Sequence, residues 1–197
     1  MWGENKDMRL FLASTTSAIS REQRDEIFNS SNRPKYCLET FFNGEKICSK
    51  VLNDVGNENF ILDSGAFSYM NSVQISKEQL INYQEKYINY INKSKVKYFI
   101  ELDVDTIFGV EFTKKLRKKL ENGVNRQCIP VWHKERGIEA YKEMCRNYDY
   151  IAIGGLAKRD IKKQEYPLIK KMVDYAYRKD VRVHGLRLYS IKNNKRF

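Results

Sequence analysis

Phe60-Ile61-Leu62-Asp63-Ser64-Gly65-Ala66-Phe67 runs from three apolar residues into a carboxylate, then through small residues to an aromatic. A buried strand of a parallel sheet ends in this way when its loop carries chemistry. Taken alone, the stretch reads more readily as a strand and an ordinary turn capped by Asp63. The pattern recurs, however. Residues 98–105 are a second apolar run, ending in Asp103 and Asp105, and residues 127–133 a third, ending in Trp132-His133. Residues 150–157 end in Gly154-Gly155-Leu156-Ala157, residues 181–186 carry His184-Gly185-Leu186, and residues 8–15 supply an opening strand. Packing alone does not require six such runs to end in Asp, His, Gly or Ser.

Helical segments separate these runs. Residues 76–94 begin with Ser76 and Gln79 at capping-box spacing, which satisfies orphan amides at a helix start. Leu80, Ile81, Tyr87, Ile88 and Ile91 follow as an apolar stripe near helical period. Residues 113–122 read as a short basic helix closed by Gly123. Residues 135–147 form a third helix and 161–178 a fourth, with Pro167 in its first turn. Residues 16–59 are less legible, with a helix over 21–29 and a short strand near 36–41. Strands alternating with helices predict a parallel sheet with right-handed crossovers.

Composition predicts one domain spanning 1–197, with neither repeats nor a linker. No long apolar span or signal peptide is read, and Cys37, Cys48, Cys128 and Cys145 lack the spacing of a zinc site or disulfide framework. A reduced, cytoplasmic protein without metal, cofactor or membrane is expected. Lys and Arg number 36 against 25 acids, a formal charge of +11. Lys158, Arg159, Lys162 and Lys163 directly follow a strand end, so they are the candidate contacts to nucleic-acid phosphates. The Lys114–Lys119 run, on a helix flank, reads as solvated surface.

The order DSGAF, acid-ended strand, GGLA resembles the tRNA-guanine transglycosylase superfamily, whose members carry DSGGF-type, FDE-type and GGLA-type strand ends on a (β/α)8 barrel. Ala66, the Pro130-Val131-Trp132-His133 strand and the His184-Gly185-Leu186 strand favour similarity to its bacteriophage and genomic-island branch, the DNA 7-deazaguanine transglycosylases. The order extends over about residues 8–190, and the motifs are confined to the strand ends.

The resemblance implies a TIM-type (β/α) barrel that exchanges guanine in DNA for a 7-deazaguanine, with tRNA as the other substrate class. It implies that Asp63 relays protons to the leaving base and from the incoming one. Asp103 would accept the N–H edge of the purine, in preference to Asp105, which strand alternation puts on the same face. Ser64, Gly65, Phe67, His133, Gly154, Gly155 and Leu156 would complete the base pocket, with Phe67, Tyr69 or Trp132 as its aromatic wall around a flipped nucleotide. His133 stands where tRNA-type enzymes often carry a glutamine, so it either bonds the heterocycle or caps the next helix. His184 is expected to be bonded to backbone.

The family's nucleophilic Asp lies on a strand beyond residues 181–188, and residues 186–197 contain no acid. The expectation is therefore a C-terminally short barrel with about six of eight strands and no counterpart of the family's zinc segment. Either Asp105 or Asp160 replaces the nucleophile, or the chain is a silent remnant that binds guanine or 7-deazaguanine without turnover. An open sheet edge would call for a partner or a homodimer mate. The third alternative, a metal hydrolase using Asp103, Asp105 and His133, has a poor ligand signature.

Overall fold

The computed structural model describes residues 9–13, 20–30, 33–72, 75–155 and 165–186. The chain is α/β. Strands β1 (Leu12–Ala13), β2 (Cys37–Thr40), β3 (Phe60–Asp63) and β4 (Tyr98–Phe99) form one parallel sheet in chain order. Strands β5 (Val131–Trp132), β6 (Tyr150–Ile153) and β7 (Arg182–Gly185) form a second, also parallel and in chain order. A parallel bridge between Ile100 and Ile129 joins the two. Seven strands stand among the described residues where about six were expected. The seventh is β2, the short strand expected near 36–41; its apolar run is interrupted by Glu39, which is buried and bonded locally to the Thr40 N–H and the Asn43 amide.

Helices α1 (Arg21–Asn29), α2 (Glu45–Val55), α4 (Lys77–Ser94), α6 (Val110–Val124), α7 (Gly137–Asn147) and α8 (Tyr166–Tyr177) fill the crossovers; short helices α3 (Ala66–Ser72) and α5 (Asp105–Phe108) follow β3 and β4. The Ser76–Gln79 capping box forms reciprocally, and Pro167 lies in the first turn of α8. Helices α2, α3 and α5 are absent from the sequence expectation. The first of these is opened by Gly44 with no side-chain cap, and the last is one turn long.

Side chains alternate across the strands, so each strand feeds two cores. One face of β2–β4 (Cys37, Phe60, Leu62, Phe99) packs with α2, α4 and α6, and the same face of β5–β7 (Trp132, Ile151, Ile153) packs with α7 and α8. The other face gathers Leu38, Ile61, Ile100, Ile129, Val131 and Ala152, with Phe11, Tyr98, Tyr150 and Leu186 against them. On that face the Phe11 ring, just before β1, meets the His184 ring of β7 edge-on at 5.6 Å. First and last described strands therefore come within side-chain reach. Among the described residues the His184 side chain makes this ring contact and no backbone hydrogen bond, and burial holds its pKa down at about 4, leaving it neutral at physiological pH.

All four cysteines are free and buried. Burial pushes the thiols of Cys37 and Cys48 up to about 12, which removes them as nucleophiles.

Candidate active site

Parallel register places the strand ends side by side. Thr40 pairs with Asp63 across β2–β3, and Trp132 with Ile153 across β5–β6, so Thr40, Asp63, His133 and Gly154 emerge at the same end of the strands. Tyr87 of α4 fixes the spacing between β3 and β4. Its buried hydroxyl lies 3.1 Å from the Leu62 carbonyl oxygen and 2.9 Å from that of Ile100. Tyr83, one turn earlier, donates to the Ser64 carbonyl at 2.6 Å and holds the loop after Asp63. Tyr87 reads from sequence only as a member of the helical stripe, and Tyr83 lies outside that stripe.

Asp63 accepts a hydrogen bond from the Gly65 N–H at 3.1 Å. No cation among the described residues lies within ion-pair distance of it. Burial, and then the charge of Asp103, push its pKa up to about 6. The Thr40 hydroxyl eases that charge, yet it makes no full hydrogen bond with any described group. Gly65 has φ of +72°, and a Cβ there would lie 2.5 Å from the Thr40 hydroxyl, so this turn requires glycine. Ser64 is buried, with its hydroxyl turned to the Ala66 N–H at 3.4 Å, and serves the turn.

Beyond Ile100 the pleat breaks. Glu101 reaches Arg117 of α6, and Leu102 packs into the same helical-side core, so two successive side chains face one way. Asp103 consequently turns toward the strand-end cleft, where its Oδ2 lies 3.4 Å from His133 Nε2. Asp105 does not share a strand face with it as alternation predicted, because Asp105 already begins α5. Its Oδ1 lies 2.7 Å from His133 Nδ1, and its Oδ2 accepts from Arg136 Nε at 2.6 Å. No local sequence signal marks Arg136, whose side chain is 3 % exposed. The guanidinium also approaches Glu101 Oε1 at 3.7 Å, and its Nη2 has no described hydrogen-bond partner.

Burial opposes charge on His133, but its contacts with Asp103 and Asp105 outweigh that and raise its pKa to about 9. Burial likewise works against the Asp105 carboxylate, and His133 and Arg136 overcome it, holding the pKa down at about 2. His133 is thus an imidazolium at neutral pH, locked between two carboxylates. It begins the turn Lys134–Arg136 but makes no side-chain cap. Gly154 is shaped to this ring: a Cβ there would lie 2.7 Å from His133 Nε2 and 2.6 Å from Val131 Cγ1. Its N–H is spent on the Trp132 carbonyl at 2.9 Å. Gly155, at φ +78°, is exposed.

Trp132 leaves the expected aromatic wall. As the neighbour of inward His133 it points to the helical side, against Tyr141, with its Nε1–H donating to the Gly137 carbonyl at 2.8 Å. Tyr69 stacks on Tyr83 with centroids 4.3 Å apart, whereas Phe67 is 41 % exposed on α3 and remains near the strand-end opening. Asp105 is disfavoured as a replacement nucleophile because both its oxygens are engaged at 5 % exposure. Leu156, Lys158, Arg159, Asp160, Lys162 and Lys163 lie outside the described residues. No group of three or more His, Cys, Asp or Glu among the described residues is arranged to hold a metal ion, and His133 spends both ring nitrogens on carboxylates. No described helix is long and apolar enough to cross a membrane.

The imidazolium has a measurable signature. A folded-state pKa of about 9, above the ordinary 6.5, stabilises the fold fully below pH 6.5. That stability is lost as pH rises through 9. The loss is expected to be on the order of 3 kcal/mol. Urea unfolding of the wild type and of His133→Gln at pH 6 and pH 10 checks it. The variant is expected to lack most of the wild type's alkaline decline, and parallel pH dependences would remove the charge from His133.

Comparison of the chain with protein-family models, with curated proteins and with solved structures gave no match.

Proposed function

We propose that this protein is a base-exchanging pentosyltransferase of the guanine transglycosylase type. It replaces guanine in DNA with a 7-deazaguanine, on an incomplete (β/α) barrel of the TIM type. The observation that carries the reading is the pair Asp63 and Asp103 at neighbouring strand ends, one carboxylate without a cation and the other against an imidazolium.

These environments divide the labour. Two carboxylates close together resist ionising together, and the one lacking a cation keeps the proton. Asp63, with its pKa near 6, gives that proton to the departing guanine as its bond to the sugar carbon breaks, then takes the ring N–H proton of the incoming 7-deazaguanine as that nitrogen bonds to the same carbon. Asp103 remains available as an acceptor for the purine N–H edge. The Thr40 hydroxyl, which has no described hydrogen-bond partner, is free for a further contact. In barrels of this class, chemistry sits at the C-terminal ends of the strands. The chain-order parallel strands and the Phe11–His184 contact support such a closure.

The test is incorporation of labelled guanine into duplex DNA and, separately, into tRNA by the purified protein. Incorporation into DNA is expected. Incorporation into tRNA alone would move the substrate to the tRNA-directed class. A folded protein that labels neither nucleic acid, yet binds guanine, would be the silent remnant, and the proposed activity would fall.

A further inference from the structure

The opposite end of the strands holds a second site. A cavity of about 210 Å³ opens there among the first residues of β4, β6 and β7, lined in part by Lys97, Tyr98, Arg126, Asp149, Tyr150 and Arg182. The apolar layer of Ile61, Ile100, Ile129, Val131 and Ala152 separates it from Asp63 and His133. Its floor is a T-shaped pair, Tyr98 and Tyr150, with ring centroids 5.8 Å apart. The Arg182 guanidinium lies over both, 4.9 Å from Tyr98 and 4.6 Å from Tyr150, and donates to the Tyr98 hydroxyl at 3.1 Å.

These cations are presented rather than neutralised. Neither Arg126 nor Arg182 forms an ion pair among the described residues. Arg126 uses Nη1 on the Val96 carbonyl at 3.0 Å and lies 5.3 Å over the Phe99 ring. Lys97 holds Glu58 at 2.6 Å, close enough to Arg182 to feel its charge, which leaves Asp149 as the other nearby acid. Arg9, whose guanidinium lies over Tyr36, adds its field at Tyr150. Two arginines seated over aromatic rings keep further N–H groups available to an oxyanion. Asp149 is the one acid that lines the cavity, and it forms no ion pair with either arginine.

We propose that this cavity binds the phosphate of a nucleotide, with Arg126 and Arg182 donating to the phosphate oxygens and the Arg182–Tyr98–Tyr150 stack supporting the base. The phosphate comes from a free nucleotide or from a nucleic-acid strand. This site is independent of the exchange chemistry proposed above. An inactive protein would retain it.

Calorimetric titration of the full chain with inorganic phosphate, with guanosine monophosphate and with a short single-stranded oligonucleotide tests this at low salt. Each is measured against the wild type, Arg126→Gln, Arg182→Gln and, as a control for loss of an exposed surface charge, Lys114→Gln. Each arginine substitution is expected to weaken binding roughly tenfold, as loss of one charge-assisted contact does. Lys114→Gln is expected to leave it unchanged. Arg126 is exposed, so its variant reads binding even if Arg182→Gln perturbs the fold. Binding of the monophosphate assigns a free nucleotide, and binding of the oligonucleotide alone assigns strand phosphates. No binding by the wild type, or binding untouched by Arg126→Gln, overturns the proposal.

Discussion

Asp63→Asn is expected to make the protein more stable at pH 8 while abolishing base exchange. The two effects have one source. The Asp63 carboxyl, with pKa raised to about 6 from the ordinary 3.8, is ionised at pH 8 against burial and against the charge of Asp103. The sign follows from proton uptake. Below 3.8 both folded and unfolded chains hold the proton, and no cost arises; between 3.8 and 6 the cost grows; above 6 it is complete. An amide of the same shape keeps an oxygen for the Gly65 N–H and carries no charge, so it recovers about 1–3 kcal/mol.

The same amide has no proton to relay. Removal of a positioned general acid–base group typically lowers rates by about 10²–10⁴-fold, and the guanine-incorporation assay reads that loss. Urea unfolding at pH 4 and pH 8 reads the other half, with the gap between variant and wild type opening only at the higher pH. A residue placed merely for structure loses stability on substitution. Equal or lower stability of the variant at pH 8 would place Asp63 among structural acids, whatever happens to exchange.

What could be read in the chain beforehand divides by range. Asp63 at a strand end and the Ser76–Gln79 capping box are local signals, set by neighbours within four residues, and they are present as expected. Trp132 and His133 are adjacent along one extended run, so alternation alone forbids both from lining one cleft. Asp105 illustrates the opposite case. The spacing Glu101-Asp103-Asp105 puts three acids on one face only if the strand continues, and nothing local announces that it breaks after Ile100. Arg117 was hidden among lysines in a run that reads as solvated surface. The single arginine there was the clue, because a planar guanidinium meets a carboxylate with two parallel bonds and an ammonium does not. Arg136 and the fit of Gly154 to His133 depend on register between distant strands and have no local signal.

Glu101 carries the largest expected effect on stability. It is fully buried and takes Arg117 bidentately, Nε at 2.7 Å and Nη2 at 3.0 Å, while its Oε1 also accepts from the Val131 N–H at 2.6 Å. One side chain therefore fastens β4 to β5, ties both to α6, and faces Arg136 at 3.7 Å. Glu101→Ala leaves the Arg117 guanidinium and the Val131 N–H buried without that acceptor, and leaves Arg136 with Asp105 alone. Breaking such a pair from one side costs about 3–5 kcal/mol, far more than an exposed pair such as Lys114–Glu111 is worth. Denaturant unfolding of Glu101→Ala is expected to show a loss in that range.

The loss should also travel. Arg136 holds Asp105, and Asp105 holds His133, so a displaced guanidinium loosens the imidazolium beside Asp103. The double variant Glu101→Ala/Arg117→Met separates the two contributions. Removing the second charge takes away the uncompensated guanidinium, so the double variant is expected to be more stable than Glu101→Ala alone. It should not regain the His133-dependent alkaline decline, because Arg136 still lacks its second carboxylate. A single variant within 1 kcal/mol of wild type would mean that water reaches Arg117 and Arg136 on loss of the carboxylate. The strand ends would then be held by packing rather than by charge.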